Sequence, residues 1–157
     1  MSLSEVLSGS GLKVCCAESC TGGLIGAEIT SVPGSSEFFM GSAVTYSNDA
    51  KESLLKVPAG ILAAYGAVSP QTAVSMARGA RKLFGADVAV AVTGIAGPGG
   101  ATDTKPVGLV YVAVSSDLGD EVCECRFSGD RESVRRSTVG KALELLEKVA
   151  RSVLDSD

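Results

Sequence analysis

From Leu12 to Cys16 the chain is mostly apolar over a length that suits a short buried strand, and Leu24, Ile25, Ile29 and Val32 then recur at helical spacing. The pattern predicts a strand, a tight turn at Gly22-Gly23 and a helix from Leu24 to Thr30. Before that strand, Ser4 to Ser8 predicts a brief helix ended by Gly9 and Gly11. Ser31 to Ser36 has loop composition, and a strand is expected around Ser42 to Ser47. Asn48 and Asp49 are the expected cap of a short helix that holds Ala50, Leu54 and Leu55 and stops before Pro58. Ile61 to Tyr65 adds another helical turn. Ser69-Pro70 opens a longer helix, whose Ala73, Met76, Ala77, Ala80 and Phe84 make an apolar face.

Asp87 to Thr93 is almost wholly apolar, as a central strand covered on both faces is. Val107 to Ser115 predicts a long buried strand. In Glu121 to Phe127 the inward set Cys123, Cys125 and Phe127 alternates with Glu124 and Arg126, which predicts a half-exposed antiparallel neighbour reached through a turn at Asp117 to Asp120. Ser128-Gly129-Asp130 caps a final helix whose buried side is Val134, Thr138, Ala142, Leu145, Val149 and Val153. Helices and strands alternate, and a strand pair precedes the last helix. The expected class is therefore α/β: a three-layer α/β/α sandwich with a mixed, mostly parallel sheet and an antiparallel strand pair before the C-terminal helix. A chain of 157 residues suits one domain spanning residues 1–157.

Composition narrows the chemistry. With no tryptophan and four phenylalanines the core must be built from Val, Ala, Leu and Ile, the usual filling of a sheet flanked by helices. A net charge of −4 offers no basic stripe for nucleic acid, while a small anion held by a few local cations stays possible. No stretch has the length of a membrane span and the N-terminus lacks a signal pattern, so a cytoplasmic protein without membrane contact is expected. The five cysteines are odd in number and none forms a Cys-x-x-Cys pair, so reduced thiols and no metal centre are expected. Histidine is absent, which removes Ser-His-Asp and Cys-His sites and histidine-ligated metals from a site built within one chain. Any hydrolytic base must come from Lys, Tyr, Asp or Glu.

Two stretches carry candidate chemistry. Ala17-Glu18-Ser19-Cys20-Thr21-Gly22-Gly23 stands at a strand-to-helix turn, where free helix amides and the helix dipole favour an anion or an oxyanion. The plainer reading is that Ser19 or Thr21 caps the helix and the glycines permit the turn. Thr93-Gly94-Ile95-Ala96-Gly97-Pro98-Gly99-Gly100 follows the predicted central strand, and open α/β sheets bind ligands past the carboxyl ends of their strands. Its spacing is neither a P-loop nor a dinucleotide fingerprint.

These two stretches, together with Val44-Thr45-Tyr46-Ser47-Asn48, Lys51, Gly66-Ala67-Val68-Ser69, Lys105-Pro106-Val107-Gly108 and Gly129-Asp130-Arg131, occur in an order that resembles the CinA C-terminal domain family from about Val14 to Leu146. The family includes nicotinamide-nucleotide amidases. The resemblance implies hydrolysis of the carboxamide of nicotinamide mononucleotide to nicotinate mononucleotide and ammonia, an amidohydrolase acting on a non-peptide amide without a cofactor. Larger members carry an additional N-terminal domain of molybdopterin-binding type, whose activities are not transferred to this chain.

The resemblance further implies functional roles for Ser19, Ser36, Tyr46, Lys51 and Arg131, with Thr93 and the loop Gly94, Ile95, Ala96 and Gly97 lining the pocket. With no histidine, a Ser-Lys arrangement is the economical solution: Lys51 as general base, Ser36 as nucleophile with Ser19 as the alternate, and Tyr46 relaying or positioning a proton. Lys51 is expected to be driven toward its neutral form by burial and by positive potential from its helix end and Arg131. Amides of Thr21, Gly22 and Gly23 or of the Gly94 to Gly97 loop would serve an oxyanion or the 5′-phosphate, with Arg131 on the phosphate. Two departures stand out: a short N-terminal helix and the Cys15-Cys16 pair. Assembly into a homo-oligomer is expected, and the alternative to an amidase is a nucleotide-binding or regulatory module without turnover.

Overall fold

The computed structural model describes residues 2–157. Five strands form one sheet in the order β2-β1-β3-β4-β5, with β1 at Val14–Glu18, β2 at Phe39–Val44, β3 at Val88–Gly94, β4 at Leu109–Ser116 and β5 at Gly119–Arg126. β1 pairs in parallel with β2 and β3, and β4 pairs antiparallel with β3 and β5. The expected mixed sheet with a late antiparallel pair is the observed one.

Helices α1 (Leu3–Leu7), α2 (Leu24–Thr30) and α6 (Arg131–Asp155) cover one face, and α3 (Asn48–Leu55), α4 (Ala59–Tyr65) and α5 (Pro70–Phe84) the other. Side chains alternate across the sheet, so one strand supplies both cores. Val14 and Cys16 of β1, with Val88, Val90 and Val92 of β3, pack against α2 and α6, while Cys15, Ala17, Ala89 and Ala91 face α5. The second face is lined with alanine, and α5 answers it with Ala73, Ala77 and Ala80. Small residues on both sides let that helix lie close to the sheet. No described helix is long and apolar enough to cross a membrane.

The α5 to α3 contact is set by Gly79, where an added Cβ would stand 2.0 Å from the Leu55 carbonyl oxygen. Backbone cannot yield as a flexible side chain does. Gly79→Ala is expected to lower stability by about 3 kcal/mol, through overpacking that pushes α3 away. Urea denaturation checks this, and a midpoint equal to wild type would discard the close-approach account.

Several boundaries differ from the sequence expectation, β1 at Val14–Glu18 and β5 at Gly119–Arg126 among them, and two of these shifts bear on the site. The strand expected around Ser42 to Ser47 runs from Phe39 to Val44, because its partner β1 ends at Glu18 opposite Val44. Beyond that point the carbonyls of Thr45 and Tyr46 face a lysine amine instead of a ladder partner. The α3 cap is Ser47, whose side chain accepts from the Ala50 N–H, so Asn48 is the first helical residue.

Candidate active site

The chain leaves β1 toward β2 on one side, and β3 pairs with β1 on the other. The gap between the ends of β1 and β3 is therefore a topological switch point, where open α/β sheets place ligands. Ser19 follows β1 there, and the glycine-rich loop follows β3.

Glu18, the last residue of β1, is fully buried and points toward α2. Its Oε1 accepts from the Thr21 hydroxyl at 2.6 Å, the Gly23 N–H at 3.2 Å and the Ile25 N–H at 2.8 Å. Its Oε2 accepts from the Gly26 N–H at 3.1 Å and the Ser42 hydroxyl at 2.6 Å. The carboxylate thus occupies the helix terminus that the sequence offered to a ligand. Gly22 N–H is also used, donating to Ser19 O at 3.1 Å. Amide donation to a ligand from Gly22 and Gly23 is thereby corrected: both donors are spent inside the protein, and so is the Thr21 hydroxyl. The Thr21 N–H, in contrast, has no acceptor among the described residues.

On the opposite face of β1, Ser19 meets Lys51 in the first turn of α3. Lys51 is 1% exposed and Ser19 8% exposed, so the pair is nearly dry. The Lys51 amine donates to Ser19 Oγ at 3.0 Å, to the Thr45 carbonyl at 2.7 Å and to the Tyr46 carbonyl at 3.5 Å. Burial lowers its pKa to about 8, opposed by the nearby Cys20 thiol. The cause is desolvation, the first of the expected contributions, and Arg131 is not among the causes. The neutral amine has two N–H donors and one lone pair; the two carbonyls match the donors and leave the lone pair to Ser19. Burial also pushes the adjacent Cys20 thiol up to about 11, so at neutral pH it is no thiolate rival to Ser19.

Tyr46 and Arg131 form a bar at the mouth. Arg131 donates to Gly97 O at 2.8 Å and to the Tyr46 hydroxyl at 3.3 Å, joining the loop after β2, the loop after β3 and the start of α6. Tyr46 is 64% exposed. Its ring stands outside the buried pair, and its carbonyl is the part that reaches Lys51. Thr93 is buried and donates its hydroxyl to Ala67 O at 2.7 Å, which holds the segment entering α5. In the glycine-rich loop Gly94 pairs with Val110 in the β ladder and Ile95 N–H donates to Leu109 O, while the Ala96 and Gly97 amides have no acceptor among the described residues. A groove of about 640 Å³ runs between α2 and α6 and touches this site only at Arg131 and Arg135.

Ser36 is not part of this constellation. It lies exposed in a short 3-10 turn, Ser35–Glu37, before β2. That turn flanks the Val14 end of β1, where Val14 N–H donates to Phe38 O, so five strand residues at about 3.3 Å each put it roughly 16 Å from Ser19. Two residues that shape the site have no assigned role in the sequence reading. Glu18 stands out there only as a carboxylate where an apolar strand stops. Arg135, which donates to Cys20 O and Thr21 O at 3.1 Å each, carried no sequence signal beyond a basic run near a helix start.

The architecture and this site define a three-layer α/β/α protein with a dry lysine–serine pair at the switch point of its sheet. The CinA C-terminal domain family model matches residues 1–150, and the chain belongs to that family. A CinA-like protein of Geobacter sulfurreducens is 53% identical over 138 residues, which cover 88% of this chain and 33% of that protein. One of Geobacter metallireducens is 51% identical over 139 residues, 88% of this chain and 34% of that protein. The chain spans about a third of the length of the curated relatives it matches. Solved structures match it nearly end to end. The competence/damage inducible protein CihA from Agrobacterium tumefaciens is 46% identical with a TM-score of 0.87, covering 92% of this chain and 91% of its own. A CinA superfamily protein from Klebsiella pneumoniae is 35% identical with a TM-score of 0.90, covering 94% and 92%.

Proposed function

We propose that the chain is an amidohydrolase that converts the carboxamide of nicotinamide mononucleotide to the carboxylate, with Ser19 as nucleophile and Lys51 as base. The observation that carries this reading is the 3.0 Å contact between the buried Lys51 amine and Ser19 Oγ, with the amine held by two carbonyls. In the first step Ser19 Oγ bonds to the amide carbon as its proton passes to the neutral Lys51 amine. The carbonyl π pair moves onto oxygen. Collapse breaks the C–N bond, and Lys51 returns the proton to the departing nitrogen, which leaves as ammonia. Water then attacks the Ser19 ester, losing a proton to Lys51, and the acid is released as the proton goes back to Ser19.

Arg131 spends two donors on Gly97 and Tyr46, and a guanidinium has five, so donors remain for the 5′-phosphate at the mouth. Tyr46 belongs in this account to the mouth and not to proton transfer between the buried pair. Ser36 takes no part in it.

Ammonia release from nicotinamide mononucleotide tests the reading. Because Lys51 must be neutral, with a pKa of about 8, only about a tenth of the enzyme is competent at pH 7. Below pH 8, kcat/KM should fall close to tenfold per unit of pH, and it should level off above. Activity that is flat from pH 6 to 9 would remove Lys51 as the base. If pyridine nucleotides raise the melting temperature without any ammonia, the chain is a binding module instead.

A further inference from the structure

Arg135 sits on α6, against the sheet face opposite the one that carries Ser19 and Lys51. Val134 and Ala142 of the same helix pack with Val14 and Cys16, whereas Lys51 belongs to α3, whose Leu55 packs with Cys15 and Ala17. From there the guanidinium donates through Nε to Cys20 O and through Nη2 to Thr21 O, both at 3.1 Å. The only cis peptide among the described residues is Gly97-Pro98, so the Cys20-Thr21 peptide is trans. In a trans peptide the carbonyl and the N–H point in opposite directions. Drawing the Cys20 carbonyl toward α6 therefore turns the Thr21 N–H away from α6, toward the side where Ser19 Oγ meets Lys51. That N–H has no acceptor among the described residues, although the hydroxyl of the same residue and the amides of Gly22, Gly23, Ile25 and Gly26 all have one. A free donor two residues past the nucleophile, with its peptide plane clamped from behind, is placed for an oxyanion.

We infer that Arg135 is a positioning residue which fixes the Thr21 N–H as an oxyanion donor for the tetrahedral intermediate formed on Ser19. This rests on the amidase reading and adds to it the group that stabilises developing charge. Arg135 itself touches no substrate. Its planar fork holds two carbonyls at once, which a lysine, as a single point charge on a flexible stem, does not reproduce. An oxyanion contact is gained only in the transition state, so its loss lowers kcat and leaves KM alone.

The test uses Arg135→Lys and Arg135→Ala in the full chain, with nicotinamide mononucleotide as substrate and pyridine-3-boronic acid as the probe. The boronic acid bonds to Ser19 Oγ as a tetrahedral adduct with an oxygen at the oxyanion position. Both variants should lose roughly 10- to 100-fold in kcat, somewhat less than deleting a donor outright, with KM within about twofold. Boronate affinity should fall by a similar factor, while affinity for nicotinate mononucleotide holds. Added guanidinium should restore part of the Arg135→Ala turnover, and the melting temperature of Arg135→Lys reports its folding. If wild type releases ammonia and binds the boronate but Arg135→Lys matches it in both, the inference falls and the amidase reading stands. Should wild type do neither, the amidase reading falls and takes the inference with it. A rise in KM without loss of kcat would make Arg135 a substrate-binding residue and overturn the positioning role.

Discussion

Ser19→Ala abolishes ammonia release, a loss of at least about 10³-fold, while Ser36→Ala retains wild-type turnover. The two serines separate because the strand direction separates them: Ser19 follows the carboxyl end of β1, and Ser36 precedes β2 at the amino end of the parallel strands. Lys51→Met should lose as much as Ser19→Ala, and the double variant should be no worse than either alone, since residues that act as one unit are not additive. Steady-state ammonia release with purified variants reads all four. Turnover surviving in Ser19→Ala but lost in Ser36→Ala would move the nucleophile to the other end of the sheet and leave the Lys51 contact without a catalytic purpose.

Lys51 was legible in the sequence, and the choice of serine was not. By itself a lysine near the start of a short helix reads as a solvated surface residue; it is the resemblance to the CinA C-terminal domain family, together with Tyr46 and the absence of histidine, that singles it out as a base. Choosing its partner requires knowing which strand end meets α3, and no spacing along the chain supplies that. Ser36 is 15 residues from Lys51 in sequence and Ser19 is 32, yet the more distant one is in contact. The turn at Gly22-Gly23 and the helix after it lie where the pattern predicts them but serve a different purpose. Free helix amides suggest a ligand, but in the folded chain Glu18 already fills them. The strand and helix alternation, by contrast, was carried by apolar periodicity that burial alone enforces. Where side chains bind carbonyls instead, at Thr45 and Tyr46, the predicted end of β2 slid by three residues.

Glu18→Ala should be the most destabilising single change in this region, costing about 4 kcal/mol or more. The side chain is fully buried, and truncation leaves five donors with no acceptor: three at Oε1 and two at Oε2. Three of them are backbone amides that no rotation can redirect. Glu18→Gln separates the need for an acceptor from the need for a carboxylate. Its amide oxygen can keep the Oε1 set of Thr21, Gly23 and Ile25, but the NH₂ then faces the Gly26 N–H, donor against donor, while the Ser42 hydroxyl can rotate to accept. The expected loss is about 2 kcal/mol, intermediate between wild type and alanine. Because Glu18 anchors the turn that begins at Ser19, kcat should fall in the same order as stability, even under conditions where each variant is folded. Chemical denaturation together with turnover on folded protein measures both. A Glu18→Gln protein as stable as wild type would mean that the donors find other acceptors, and the carboxylate would lose its place as the group that holds the Ser19 turn to α2.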